Sequence, residues 1–285
     1  MLSATQPQPY DVPKGRIRRG IWLTRKAITL LDGDRRAWAV PALSAASYVG
    51  AAVLLFAPPA VFFSEQTAPF LAACVLAGVA FVFISTFFGV AFLAMVNGHI
   101  EGRQMGIADA LRFAWSRRAP ILGWALLSNA VGWAFRLLEI IEGGEFLGRL
   151  IRLLGGLAWS LATFFMLPVL ALEDRGPIAG VKRSVSIFRD RWGEQLTGEV
   201  AIGTGTGLLV LPAFLTLVAG ICLVVVGHEV VGLGLTFMGL AGTATLLVAA
   251  GAIARVFSLV LYRYATGRPI PTPFTEADLR DTFRT

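Results

Sequence analysis

Apolar and polar positions follow one another along this chain in long blocks. Six apolar runs, 37–63, 70–96, 120–141, 147–172, 196–226 and 230–262, each reach membrane-spanning length, since a hydrocarbon core about 30 Å thick takes roughly 20 residues of helix. The blocks between them are of two kinds. Segments 1–36, 97–119, 173–195 and 263–285 hold 21 of the 25 Lys and Arg residues, while the turns near 64–69, 142–146 and 227–230 hold none. Lys and Arg accumulate in short cytoplasmic loops, so the four basic segments are assigned to the cytoplasm and the three turns to the opposite side. The pattern predicts an all-α membrane protein with six transmembrane helices arranged as three hairpins, N-terminus and C-terminus cytoplasmic. A single integral membrane domain covers 1–285, with 1–14 a flexible tail and 263–285 a cytoplasmic tail.

Ahead of each hairpin the periodicity changes to that of a short amphipathic helix. In GPIAGVKRSVSIFRDRW, residues Ile178, Val181, Val185, Phe188 and Trp192 recur at helical spacing, with Lys182, Arg183, Arg189 and Asp190 around the rest of the circumference. Near the N-terminus Ile17, Ile21, Thr24, Ile28 and Leu31 form a stripe flanked by Arg18, Arg19, Arg25 and Lys26, and GIADALRFAWSRR repeats the arrangement with Ile107, Leu111, Ala114 and Trp115. Such stripes suit helices lying in the cytoplasmic headgroup layer; packing against the bundle is the alternative. Charged steps follow at Arg35-Arg36-Ala37-Trp38, Arg117-Arg118-Ala119-Pro120 and Arg189-Asp190-Arg191-Trp192. The layout reads as three units, which an even number of spans per unit would make parallel repeats about an axis along the membrane normal.

Composition supports the membrane class. The chain is 56% hydrophobic and only 15% charged, with a mean hydropathy of +0.70, against about 25% charged in soluble domains. Its net charge of +7 is spread along one membrane face instead of clustering on a soluble surface, so nucleic acid is not the expected partner. Anionic headgroups, which attract each juxtamembrane cation by about 1 kcal/mol, account for the basicity. No cleaved signal is expected, because the first apolar run starts near Ala37 and far exceeds a signal-peptide core. Cys74 and Cys222 lie inside apolar runs and, with two His residues, suggest neither a disulfide nor a metal site. Pro41 and Pro120 read as helix starts, whereas Pro58-Pro59, Pro168 and Pro212 predict kinks or breaks.

Charges within the apolar runs are few, and each implies a partner or a task. They are Arg136, Glu139, Arg149, Arg152, Glu199 and Arg255. Arg136 and Glu139 are three apart on one helix and lie near Arg149 and Arg152 across an acidic turn, which predicts a salt-bridge cluster at the outer end, or else an anion or headgroup site. Glu199 and Arg255 lie one and two turns inside the cytoplasmic ends of their runs, where adjacent spans would bring them together. Asn129 reads as interhelical glue. Gly203, Gly205 and Gly207 follow no strand and read as helix-packing positions instead of a phosphate loop. No catalytic motif is present in the sequence.

The segment FFMLPVLALEDRGPIAGVKRSVSIFRDRWGEQL joins an aromatic pair, a Pro, an acid, Gly-Pro, a basic helix with Arg-Ser and a closing Trp-Gly. It resembles the uncharacterised prokaryotic membrane family called domain of unknown function 6159, and the likeness extends to LGWALLSNAVGWAFRLLE, GLAWSLATFFMLPVLALE and GIWLTRKA. From Phe164 to Trp192 there is a weaker similarity to other multi-pass domains, including one attached to some glycerophosphodiester phosphodiesterases. The resemblance implies a bacterial or archaeal cytoplasmic membrane and six spans, and supplies no activity, cofactor or site residue. The leading expectation is a non-enzymatic membrane scaffold or lipid-interacting factor, with partners among anionic headgroups, membrane proteins or a second copy, and no cofactor. The alternative is a small permease using the kinks at Pro168 and Pro212 and the charges Arg136, Glu139 and Glu199. A membrane-embedded lipid enzyme is third.

Overall fold

A computed structural model describes residues 16–32, 35–47, 51, 67–141, 155–192 and 204–280, and every regular element among them is helical. Helix α1 (Arg16–Asp32) is followed by a 3₁₀ turn (Arg35–Trp38) and α2 (39–47), which has Pro41 in its first turn. Then come α3 (Thr67–Ile100), α4 (Ile107–Ser116) and α5 (Arg118–Ile141), whose first turn holds Pro120. Next are α6 (155–162), α7 (Met166–Leu172) and α8 (Pro177–Trp192). The chain closes with α9 (Thr204–Val225), α10 (Glu229–Ala265) and α11 (Glu276–Arg280).

Three stretches are long and apolar enough to cross a membrane: Ala72–Ile100, Gly155–Leu172 and Glu229–Ala265; Val210–Val225 is apolar but shorter. In α5, Ser128, Asn129 and Arg136 lower the hydropathy, and it is not among the three. Pro58-Pro59 lie outside the described residues.

Burial changes sharply along the two longest helices. At 34 and 37 residues, α3 and α10 are about 51 and 56 Å long at 1.5 Å per residue. The first two-thirds of α10 exposes Val230, Val231, Leu233, Phe237, Met238, Leu240 and Leu247, whereas Val256 and 258–263 are buried. Residues 90–98 of α3 are likewise all buried. These two ends, with α7 and parts of α1, α4 and α8, enclose one core that includes Phe92, Leu93, Met95, Phe165, Leu170, Leu259 and Tyr262. The result is a closed base beneath apolar helices with bare flanks.

Alpha helices α9 and α10 cross through glycines. A Cβ on Gly232 would meet the backbone of Val224, and one on Gly239 would run into the backbone of Leu217, so these positions set the close approach that small residues allow. Pro212 sits within α9, which continues through it.

Pro168 acts differently. It has no N–H to offer the Phe164 carbonyl, and its ring crowds that carbonyl; the chain leaves helical geometry at 163–165 between α6 and α7. Both freed groups find side chains from other helices. The Phe165 N–H donates to Ser184 Oγ of α8 at 3.0 Å, and Ser258 Oγ of α10 donates to the Phe164 carbonyl at 3.2 Å. Because the Phe165 bond is buried, Ser184→Ala should lower stability by about 1–3 kcal/mol, the range for an orphaned buried donor. Thermal unfolding in detergent measures this, and an unchanged midpoint would show that the bond contributes nothing.

The three short helices present to the core a face other than the one the apolar stripes suggest. In α8 the buried positions are Gly180, Ser184, Ile187 and Phe188, while Ile178 and Val185 are exposed. Small residues win the inner face because α8 lies so close to α7 that a Cβ at Gly180 would touch Met166. In α4, Ala110 and Ala114 are buried against the core and Trp115 is exposed. In α1, Ala27 and Leu31 are buried, and Ile28 packs against the core. Side chains of Ile17, Ile21 and Trp192 lie outside the described residues.

Candidate functional site

The base contains a network of charged groups built where α3, α7 and α10 end. Helix α7 stops at Leu172, and the chain turns through Glu173 and a left-handed Asp174, φ 50°, a conformation that Asp tolerates better than most residues. Gly176 then leads into Pro177 at the first position of α8, where a missing N–H costs nothing. This tight turn aims two neighbouring carboxylates at different partners.

Glu173 is the first node. Arg183 Nε donates to both its oxygens at 3.0 and 3.1 Å, Arg175 Nε donates to Oε2 at 2.7 Å, and Tyr262 OH donates to Oε1 at 2.7 Å. One side chain thus ties α8 and α10 to the end of α7. Burial pushes its pKa upward, but the hydrogen bonds from Tyr262 and Arg183 and the charge of Arg183 outweigh that and hold it below the ordinary value. Asp174 accepts from Arg117 Nη1 at 2.9 Å, and the same nitrogen lies 3.1 Å from the Leu170 carbonyl, which joins α5 to α7.

Arg263 is the second node, and its side chain is 4% exposed. Its Nη1 donates to Asn97 Oδ1 at 2.6 Å and to Glu101 Oε1 at 3.2 Å, and its Nε donates to the Pro269 carbonyl at 2.9 Å. Asn97 Nδ2 in turn donates to Glu101 Oε1 at 3.1 Å, and Arg103 pairs with Glu101 Oε2. For Glu101 burial again acts upward, and the bonds from Arg103, Asn97 and Arg263 bring the net pKa below the ordinary value. Both helices end alike: Gly102 (φ 74°) and Gly267 (φ 69°) take the left-handed conformation that lets the Arg103 and Arg268 N–H groups reach back to Gly98 and Arg263 carbonyls.

A third link joins the two ends of the chain. Lys26 of α1 pairs at 2.5 Å with Asp278 of α11, which is 2% exposed and also accepts from the Thr275 N–H at 2.8 Å. Phe274 and Leu279 bury alongside.

The charges singled out within the apolar runs fare unevenly. Arg255 is half-buried, and its Nη2 donates to Ser85 Oγ of α3 at 3.2 Å. Arg136 is exposed on α5 and lies 5.7 Å over the Trp133 ring. The side chain of Glu139, and Arg149, Arg152 and Glu199 entirely, lie outside the described residues. Asn129 donates to the Ala125 carbonyl of its own helix at 2.9 Å, and its Oδ1 fills the space where Gly78 of α3 has no side chain. Glu173, Arg263, Asn97 and Glu101 were missed because they stand one to five residues beyond a run or at its last turn, where a polar residue ordinarily faces water. The visible signal was that α3 and α10 overrun the length a membrane requires.

The model of a family of unknown function (DUF6159) matches residues 68–269. The chain belongs to that family. The DUF6159 match takes in Glu173, Arg183, Tyr262, Asn97, Glu101 and Arg263 with its Pro269 acceptor, and leaves out α1 and α11. The two central nodes are therefore within the DUF6159 region, while the Lys26–Asp278 link is outside it. No curated protein and no solved structure significantly resembles the chain.

Proposed function

We propose that this is a six-span integral membrane protein, both termini cytoplasmic, that acts as an assembly platform and not as a catalyst. One observation carries the reading: the buried ionisable groups of the base, Glu173, Arg263 and Asp278, are each spent on joining helices. They fix the shape of a surface instead of facing a reacting molecule.

The membrane boundary follows from the contacts. Trp115 packs edge-on against Phe87 with ring centroids 6.3 Å apart, Arg118 opens α5 beside it, and Arg255 meets Ser85. Tryptophan and arginine favour the headgroup level, which places Phe87, Arg118 and Arg255 there. Residues 67–87 of α3 then span about 30 Å, and the 13 residues after Phe87 project about 20 Å into the cytoplasm. Arg255 becomes an interfacial charge, not one at the bilayer centre.

The test is the size of the particle solubilised from native membranes in mild detergent. A platform should migrate with stoichiometric partner chains, and reversing exposed cations (Arg112→Glu with Arg189→Glu) should shrink the particle. If the chain runs alone and reconstituted vesicles show solute uptake that Arg255→Ala abolishes, the permease reading replaces this one.

A further inference from the structure

Where α5 enters the proposed membrane, α8 begins beside it. A Cβ on Gly123 would lie 3.0 Å from Pro177, and Arg117 holds Asp174 at 2.9 Å. The neighbours of that contact, Leu122 on α5 and Ile178 on α8, are both exposed, Ile178 by 64%. One turn toward the base on each helix stands an exposed cation, Arg118 below Leu122 and Lys182 below Ile178. The direction is the same on both, because α5 starts at its basic end and α8 descends until Arg191 Nε reaches the Ala265 carbonyl at 3.3 Å. Beside this double row Trp115 is 58% exposed, with the Arg118 guanidinium 5.6 Å over its ring.

We infer that this corner is a binding site for an anionic phospholipid. An aliphatic pair above and a cationic pair below, flanked by an indole, complements a molecule that joins acyl chains to a charged phosphate. Arginine and lysine supply donors to the phosphate oxygens, the indole suits the level of the glycerol backbone, and Leu122 and Ile178 meet the upper acyl chain. Val185, also exposed, continues the α8 row below Lys182. The inference rests on the proposal that these helices cross a bilayer, and it goes beyond it by naming a ligand class and a place.

Native mass spectrometry of the full chain, purified from nanodiscs containing equal phosphatidylglycerol and phosphatidylcholine, reads the preference directly. Wild type should retain phosphatidylglycerol over phosphatidylcholine. Arg118→Gln with Lys182→Gln should reduce that preference by about 25-fold, about fivefold per cation, and Arg118→Lys should keep most of it. Arg112→Gln, one helical turn beyond Trp115 and paired with Asp109, should leave it unchanged. Equal preference in the double variant would overturn the site. So would an equal loss in Arg112→Gln, which would assign the preference to diffuse charge. A chain that fails to enter nanodiscs at all, and remains soluble without detergent, would instead overturn the membrane-crossing reading beneath it.

Discussion

Replacing Arg263 with Ala is expected to lower stability by about 4 kcal/mol, within the 3–5 kcal/mol range for removing one partner of a buried ionic contact. The guanidinium is 4% exposed and connects three elements: Asn97 and Glu101 at the end of α3, its own α10, and the tail through Pro269. Its loss leaves Asn97 Oδ1 without its donor in a dry position and deprives Glu101 of one of its cations. The tail should loosen with it. Chymotrypsin cleavage after Phe274, which is 5% exposed in the folded chain, should accelerate in Arg263→Ala well before global unfolding. Arg263→Lys should recover only part of the loss, because an ammonium cannot reproduce the forked geometry that serves two helices and the tail at once. Full stability in Arg263→Ala would remove this residue from the account.

Glu173→Ala should cost about 3 kcal/mol, the lower end of the same range, because Arg175 and Arg183 are 47% and 33% exposed and regain water when the carboxylate goes. Tyr262→Phe removes only one neutral donor to the same carboxylate and should cost about 1 kcal/mol. A pH dependence follows from the direction of the shift. Glu173 and Glu101 both lie below their ordinary value of 4.5 in the folded chain, so the unfolded chain binds protons first as pH falls. Their contribution is complete above about pH 4.5 and is lost as pH drops through the folded values. Detergent-solubilised wild type should therefore lose thermal stability between about pH 4.5 and pH 3, and Glu173→Gln should flatten that slope. An identical slope in wild type and variant would show that Glu173 is not ion-paired.

Much of the helical layout was legible because long apolar runs have few alternatives. Runs 70–96, 147–172 and 230–262 all fall within the stretches able to cross a membrane. Pro168 was legible as a break because a missing N–H cannot be hidden, yet its two compensating serines were not, since Ser184 and Ser258 come from helices distant in sequence. The α8 stripe pointed to Ile178 and Val185 as a bound face. Hydrophobic periodicity finds apolar positions but does not distinguish a face covered by protein from one covered by lipid, and close packing reserved the inner face for Gly180 and Ser184. The ionic network was least legible. Glu173 and Arg263 look like ordinary flanking charges until the excess length of α3 and α10 folds their ends into a base.

The account turns on the polar base and the turn between α9 and α10 lying on opposite sides of a membrane. The direct measurement is labelling by a membrane-impermeant maleimide, in a chain with Cys74 and Cys222 replaced, of single variants Glu101→Cys, Asp174→Cys and His228→Cys, all at exposed positions. His228→Cys should react in intact cells, and Glu101→Cys and Asp174→Cys only after permeabilisation. Reaction of all three from the same side would contradict it.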